Sequence, residues 1–224
     1  MSSRLNGQRI AIVVGGDVGR SPRMQYHALS MLREGAEVSI VGYAGESLVP
    51  SLEELRSRLE LALITPFEWS ALKRRCWPLF AIIKALVLIL QLTWALMRIE
   101  RPDCILVQNP PSFPVLPCVV LVAFVRRVPC VIDFHNLGFS VLALALGPKL
   151  GAPDGFIVRT CQWLEGYCAR RATRSFSVTQ AMKEYLRSAL GIDCNVLYDC
   201  PPSFFGTVTD TSARHELFCR LEHE

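Results

Sequence analysis

The chain has 224 residues, 51% hydrophobic and 20% charged, with a formal net charge of +4 and a mean hydropathy of +0.30. That length suits one well-cored α/β domain and is short for two, while the high apolar share points towards a membrane surface. The basic residues are grouped beside apolar sequence, as Lys73-Arg74-Arg75, Arg126-Arg127 and Arg170-Arg171 with Arg174. This suits anionic headgroups or a pyrophosphate and, without interleaved stacking aromatics, argues against nucleic acid as a partner.

Arg9 to Val14 is a short β-branched run of the kind buried on both faces of a parallel sheet. It leads into Gly15-Gly-Asp-Val-Gly-Arg-Ser-Pro-Arg23, where Gly15, Gly16 and Gly19 let the backbone pass close to a ligand and Arg20 and Arg23 add positive charge. Ser21 and Pro22 supply an N-cap and a first-turn proline for a helix carrying Met24, Leu29 and Leu32, which Gly35 ends. Such a strand, glycine loop and helix either binds an anion or is the tight turn that many α/β domains need. The loop spells G-G-x-x-G, and the next strand, Glu37 to Tyr43, ends without a ribose-binding carboxylate, which disfavours a dinucleotide. No Gly-Lys-Ser/Thr follows, so it is not a P-loop.

Further on, Gly45 to Pro50 reads as a loop, Ser51 to Arg58 as a short exposed helix, and Leu61 to Thr65 as a third strand closed by Pro66. From Trp77 to Met97 only Lys84, Gln91 and Thr93 are polar, long enough for a membrane span. Yet Lys84, Gln91 and Arg98 recur every seven residues and share one face. That favours a helix (77–98) lying in the bilayer interface, with Trp77 and Trp94 near its ends and Leu86 and Leu90 in lipid. A buried core helix and a true span are the other two readings.

Cys104 to Val107 is a fourth strand ending at Gln108-Asn-Pro-Pro111, Ser112 to Val125 a helix packed on the sheet, and Val128 to Phe134 a fifth strand running into His135 and Asn136. Leu137 to Gly155 reads as a Gly-rich apolar loop able to meet lipid. Phe156 to Arg171 is a helix carrying Trp163, Glu165 and Tyr167, Arg174 to Val178 a sixth strand, Gln180 to Leu190 a helix ended by Gly191, and Asn195 to Tyr198 a last strand. After Pro201-Pro202 the pattern dissolves into a polar tail with a weak helical run at His215 to Leu221. Strands alternating with helices predict an α/β fold with a doubly wound parallel sheet, Rossmann-like in form. The nine cysteines show no C-x-x-C or zinc spacing and read as reduced, largely buried thiols facing a cytosolic compartment.

In such a sheet, ligands bind beyond the carboxyl ends of the strands. There the chain puts Asp17, Arg20, Gln108, Asn109, His135 and Asn136. Asp133 and His135, two apart, would share a side of an extended strand, so the carboxylate could orient the imidazole as a general base; the plainer alternative is that both serve the fold.

The run Gly16-Asp-Val-Gly-Arg-Ser-Pro-Arg-Met-Gln-Tyr-His-Ala-Leu-Ser30 closely resembles the start of the chitobiosyldiphosphodolichol β-mannosyltransferases. Gln108-Asn-Pro-Pro111, Ile132-Asp-Phe-His-Asn136 with Gly138 and Ser140, Val178-Thr-Gln-Ala-Met182, Tyr198-Asp199 and Ser203-Phe-Phe205 agree in order, so the resemblance covers nearly the whole chain. It implies the amino-terminal domain of a GT-B type glycosyltransferase of N-glycan precursor synthesis, on the cytosolic face of the endoplasmic reticulum membrane. Such enzymes transfer mannose from GDP-mannose to chitobiosyl-diphosphodolichol with inversion, without a metal or other cofactor, among other glycosyltransferases of the pathway. The base would be Asp17 or His135, with Glu165 a weaker third. Substrate contacts would come from Gly15, Gly16, Gly19, Arg20, Ser21, Arg23, Gln108, Asn109, Asp133 and Asn136.

Two departures shape the expectation. Met1 to Gln8 is polar, whereas familiar members open with a membrane anchor, so attachment is expected elsewhere. Members also continue into a nucleotide-sugar domain. The expected division is therefore 1–206, an acceptor-binding domain, and 207–224, a tail, with GDP-mannose held by a missing or separate donor domain. The rival reading is a non-catalytic, membrane-associated acceptor-binding subunit or truncated paralogue.

Overall fold

The structure is a computed structural model that describes residues 5–150, 152, 155–201 and 210–221. Its seven strands are β1 (Arg9–Asp17), β2 (Glu37–Tyr43), β3 (Leu59–Ile64), β4 (Cys104–Asn109), β5 (Cys130–Phe134), β6 (Arg174–Ser177) and β7 (Asn195–Val196). They form one sheet in the order β3-β2-β1-β4-β5-β6-β7, with every neighbouring pair parallel. The order reverses between β1 and β4, which opens a crevice at their carboxyl ends. The helices are α1 (Pro22–Arg33), α2 (Pro50–Glu53), α3 (Ser70–Arg75), α4 (Trp77–Arg98), α5 (Val115–Arg126), α6 (Gly138–Leu150), α7 (Phe156–Ala169), α8 (Gln180–Leu190) and α9 (Thr211–Leu221).

Period-two alternation along β1 builds both halves of the core. Ile10, Ile12 and Val14 point to one face, where α1 and α2 bury Met24, Ala28, Leu32 and Leu52. Ala11 and Val13 point to the other, where α4, α5 and α8 bury Leu92, Leu96, Leu116, Val119 and Leu186. Burial on both faces is what makes the strands continuous apolar runs.

Several boundaries differ from the sequence reading. β1 continues through Gly15 and Gly16 to Asp17, which pairs with Tyr43 across an irregularity, so the first third of the expected loop is strand. The expected helix at Ser51–Arg58 is the four-residue α2 plus a 3-10 turn at Arg56–Arg58, anchored by the buried Leu52. The apolar stretch after Leu137 is no loop but α6, interrupted where Gly147 takes φ +70° before Pro148. Its Val-Leu-Ala-Leu-Ala-Leu run is rich in helix formers. The tail helix α9 begins at Thr211, earlier than its pattern suggested. Ser203-Phe-Phe205, the boundary at 206 and the ends of the tail fall outside the described residues.

The three readings of the 77–98 helix reduce to a mixed one. Phe80, Leu88, Leu92, Ala95 and Leu96 of α4 are buried in the core, so the helix is bound along the sheet and is not a free span. The opposite pole is apolar too: Ile82, Leu86, Leu90 and Trp94 are 55–69% exposed. Lys84, Gln91 and Arg98 lie on the flank between these two faces, by the 3.6-residue repeat. α5 extends the outer surface with Leu121, Phe124 and Val125, and α7 with Phe156 and Trp163.

Candidate functional site

The glycine loop is organised by Asp17. Its Oδ1 accepts from the Gly19 amide at 2.9 Å and its Oδ2 from the Glu46 amide at 3.0 Å, so the carboxylate ties the end of β1 to the loop after β2. A Cβ on Gly15 would meet Pro111 at 2.5 Å, and one on Gly19 would strike the Glu46 backbone. Those two glycines therefore serve close packing within the protein, while Gly16 faces open space. Ser21 stands at the N-cap position of α1, but its hydroxyl donates to Gln108 Oε1 at 2.5 Å instead of capping the helix. That bond ties the start of α1 to the end of β4. Arg20 is exposed beside it.

Asp133 is the electrostatic centre of the rim. Its side chain has no exposure, yet Arg23 grips it in a fork, Nε to Oδ2 at 2.6 Å and Nη2 to Oδ1 at 2.9 Å. His27 Nε2 stands 3.2 Å from Oδ2. Burial alone would raise the Asp133 pKa, but the hydrogen bonds and charge of His27 and Arg23 outweigh it and hold the carboxyl below its usual 3.8. Arg23 goes further, donating to Asp199 at 2.5 Å and to the Leu197 carbonyl at 3.0 Å. His135 Nε2 lies 3.5 Å from the other oxygen of Asp199. The expected Asp133–His135 pairing is thus replaced by two others. β5 ends at Phe134 and the His135 amide bonds back to the Asn109 carbonyl, so the two-residue alternation does not carry past the strand.

Asn109 and Glu165 form a second, fully buried cluster. Asn109 Nδ2 donates to Glu165 Oε1 at 2.8 Å and to the Asn136 carbonyl at 3.1 Å. Glu165 Oε1 also accepts the Gly138 amide, and its Oε2 the Phe139 amide at 3.0 Å and the Ser112 hydroxyl at 2.7 Å. Burial pushes the Glu165 carboxyl above its usual 4.5 despite these four donors. It has no cationic partner among the described residues. Glu165 therefore starts α6 and fixes the β4 loop; it does not face a ligand, and neither does Asn109.

Of the expected site residues, Arg20, Asn136 and His135 reach the surface of the rim, and Gly16 is open. Asn109 and Asp133 are wholly buried, and Gln108, Ser21 and Arg23 are taken up in the contacts above. Two participants escaped the sequence reading, His27 and Asp199. His27 had a local signal, since it stands four residues after Arg23 and so on the same side of α1; Asp199 had none beyond its place in a motif. No group of three His, Cys, Asp or Glu side chains suited to a metal occurs among the described residues.

A doubly wound sheet with its polar groups gathered at the switch point is the architecture of a Rossmann-like ligand-binding domain. Residues 18–196 match the glycosyl transferase 4-like domain, and the chain belongs to that family. It is 38% identical over 218 residues to the UDP-glycosyltransferase TURAN of Arabidopsis thaliana, covering 96% of this chain and 46% of that protein. It is 34% identical over 215 residues to the chitobiosyldiphosphodolichol β-mannosyltransferase of Homo sapiens, covering 96% and 44%. The chain thus spans less than half the length of these relatives. Among solved structures, sucrose-phosphate synthase of Thermosynechococcus elongatus shares the fold at a TM-score of 0.57 and 12% identity, over 93% of this chain and 52% of that one.

Proposed function

We propose that this chain is the acceptor-binding half of a β-1,4-mannosyltransferase acting on a dolichol-linked chitobiose at the cytosolic face of the endoplasmic reticulum membrane, with GDP-mannose held by a second domain outside these residues. The observation that carries the reading is the convergence of the β1, β4 and β5 loops on one rim at the switch point, in a chain that belongs to this glycosyltransferase family and is similar to dolichol-pathway mannosyltransferases. Arg20, exposed in the same loop as the open Gly16, is assigned to the acceptor diphosphate, together with the unpaired amides at the start of α1.

An inverting transfer needs one base to take the proton from the attacking hydroxyl. His135 fills that role better than Asp17. Both Asp17 oxygens already accept backbone amides, whereas His135 is 39% exposed and has a carboxylate, Asp199, near Nε2. A proton on Nε2 faces the Asp199 carboxylate 3.5 Å away, a tautomer that leaves Nδ1 as the acceptor. Asp17, Asp133, Asn109 and Glu165 shape the rim and are positioning residues. The apolar outer surface of α4 and α5, flanked by basic clusters, supports residence at a membrane, with Trp77 and Trp94 at its level.

The test is to give the purified chain GDP-mannose and a short-chain chitobiosyl-diphosphate lipid, alone and with a separately expressed donor domain from a relative. The chain alone binds the acceptor and makes no product, because donor and acceptor must be held together at near-bonding distance; the mixture makes it. His135→Ala then lowers turnover roughly a hundredfold, with acceptor binding retained. Product from the chain alone, or full activity in that variant, overturns the reading.

A further inference from the structure

A groove of about 970 Å3 runs between α5 and α7, from Pro117 in the first turn of α5 to Arg127 at its C-cap, where it reaches the amino edge of the sheet. Its walls are apolar, with Val120, Leu121 and Phe124 from α5 and Leu164 and Tyr167 from α7, and Pro129 at the start of β5. On its outer side it opens onto the exposed Leu121, Phe124 and Val125.

The amino-edge end is basic. Arg127 and Arg171 both line the groove, and among the described residues neither forms an ion pair with a carboxylate. Arg171 is held in place, its guanidinium stacked 3.8 Å over the Tyr167 ring, which itself stacks on Trp163. Arg127 occupies the left-handed C-cap of α5 at φ +55°, a position where glycine costs less and where an arginine is retained at some strain. Two neighbouring guanidiniums are committed elsewhere: Arg126 donates to the Leu96 and Ile99 carbonyls that end α4, and Arg101 to the carbonyls of Arg126 and Arg127. They pin the edge of the groove and leave Arg127 and Arg171 free for an outside anion.

We propose that this groove is a binding site for one anionic phospholipid, an acyl chain lying between α5 and α7 and the phosphate between Arg127 and Arg171. An apolar trough with paired cations at one end matches an amphiphile with a single anionic head. The isoprenoid acceptor fits less well. Its diphosphate carries the reacting sugar, and anchored here it would hold that sugar at the opposite edge of the sheet from His135 and Arg20. The site is independent of the rim chemistry proposed above.

Monomeric dihexanoyl phosphatidylserine, below its micelle concentration, is titrated into the purified chain by calorimetry, with stoichiometry read by native mass spectrometry. One lipid binds saturably, and dihexanoyl phosphatidylcholine binds more weakly. Arg127→Glu with Arg171→Glu lowers affinity tenfold or more, and Val120→Trp, which fills the trough, removes binding. Both arginines are exposed, so the charge-reversed variant keeps its fold and carries the test even where Val120→Trp does not. No saturable binding by the wild-type chain, or equal affinity in the charge-reversed variant, overturns the proposal. Displacement of the phospholipid by a short isoprenyl diphosphate also overturns it, by assigning the groove to the acceptor.

Discussion

Asp133 stays charged without any contact with water because Arg23 and His27 replace the solvation it loses. Removing one partner leaves an uncompensated buried charge, so Asp133→Asn or Arg23→Ala should cost about 3–5 kcal/mol in urea unfolding; a loss under about 1 kcal/mol would show that the pair is dispensable. The pH sign follows from the lowered pKa. Its contribution is fully present above the unfolded value of 3.8 and is lost as pH falls through the lower folded one. Acid unfolding should therefore be less steep in Asp133→Asn. Glu165 runs the other way, since a raised carboxyl pKa gives stability below 4.5 that is lost as pH rises through the folded value. The Ser112 hydroxyl lies within reach of both Glu165 Oε2 at 2.7 Å and Asn109 Oδ1 at 2.9 Å, so it ties the two side chains together. Glu165→Gln keeps one accepting oxygen but turns an NH2 toward either the Phe139 or the Gly138 amide, so it should cost about 1–3 kcal/mol, while Glu165→Ala, which orphans both amides and the Asn109 side chain, should cost about 3 kcal/mol or more. Equal melting of the two variants would remove this account of the cluster.

α4 separates two kinds of apolar residue that look alike in the sequence. Leu86→Glu with Leu90→Glu should leave the melting curve unchanged but release the chain from vesicles, since both side chains are exposed. Leu92→Glu should unfold it, since that residue is buried and a charge there has no partner. Vesicle binding that survives the double substitution would exclude α4 as the attachment surface. The seven-residue polar spacing of Lys84, Gln91 and Arg98 was legible and marked a flank correctly as distinct. Which of the two remaining faces met the sheet was not, because both are apolar. α6 was misread for a related reason: Gly138, Gly147 and Pro148 punctuate the stretch as a loop would, and its first amides are held by Glu165, 27 and 26 residues downstream. No local N-cap residue announces it.

The parallel order of the sheet was legible because each strand is short, apolar and followed by a helix, and Gly35 and Gly191 end helices at φ +93° and +66° as their positions suggested. The rim was legible as a place and less so as a set of contacts. Ser21 meets Gln108 across 87 residues, Arg23 meets Asp133 across 110 and Asp199 across 176, and periodicity carries no information at such separations. Helices that cross between parallel strands run against them, so α4 and α5 begin near the carboxyl rim and end at the amino edge. The apolar pole of α4 therefore lies along the sheet, beside the rim and not beneath it. A molecule resting on that pole faces its rim sideways, level with the surface it rests on. For a substrate tethered by a hydrocarbon tail, encounter then becomes a two-dimensional search, in which the sugar arrives by lateral drift and is never lifted from the plane that carries it.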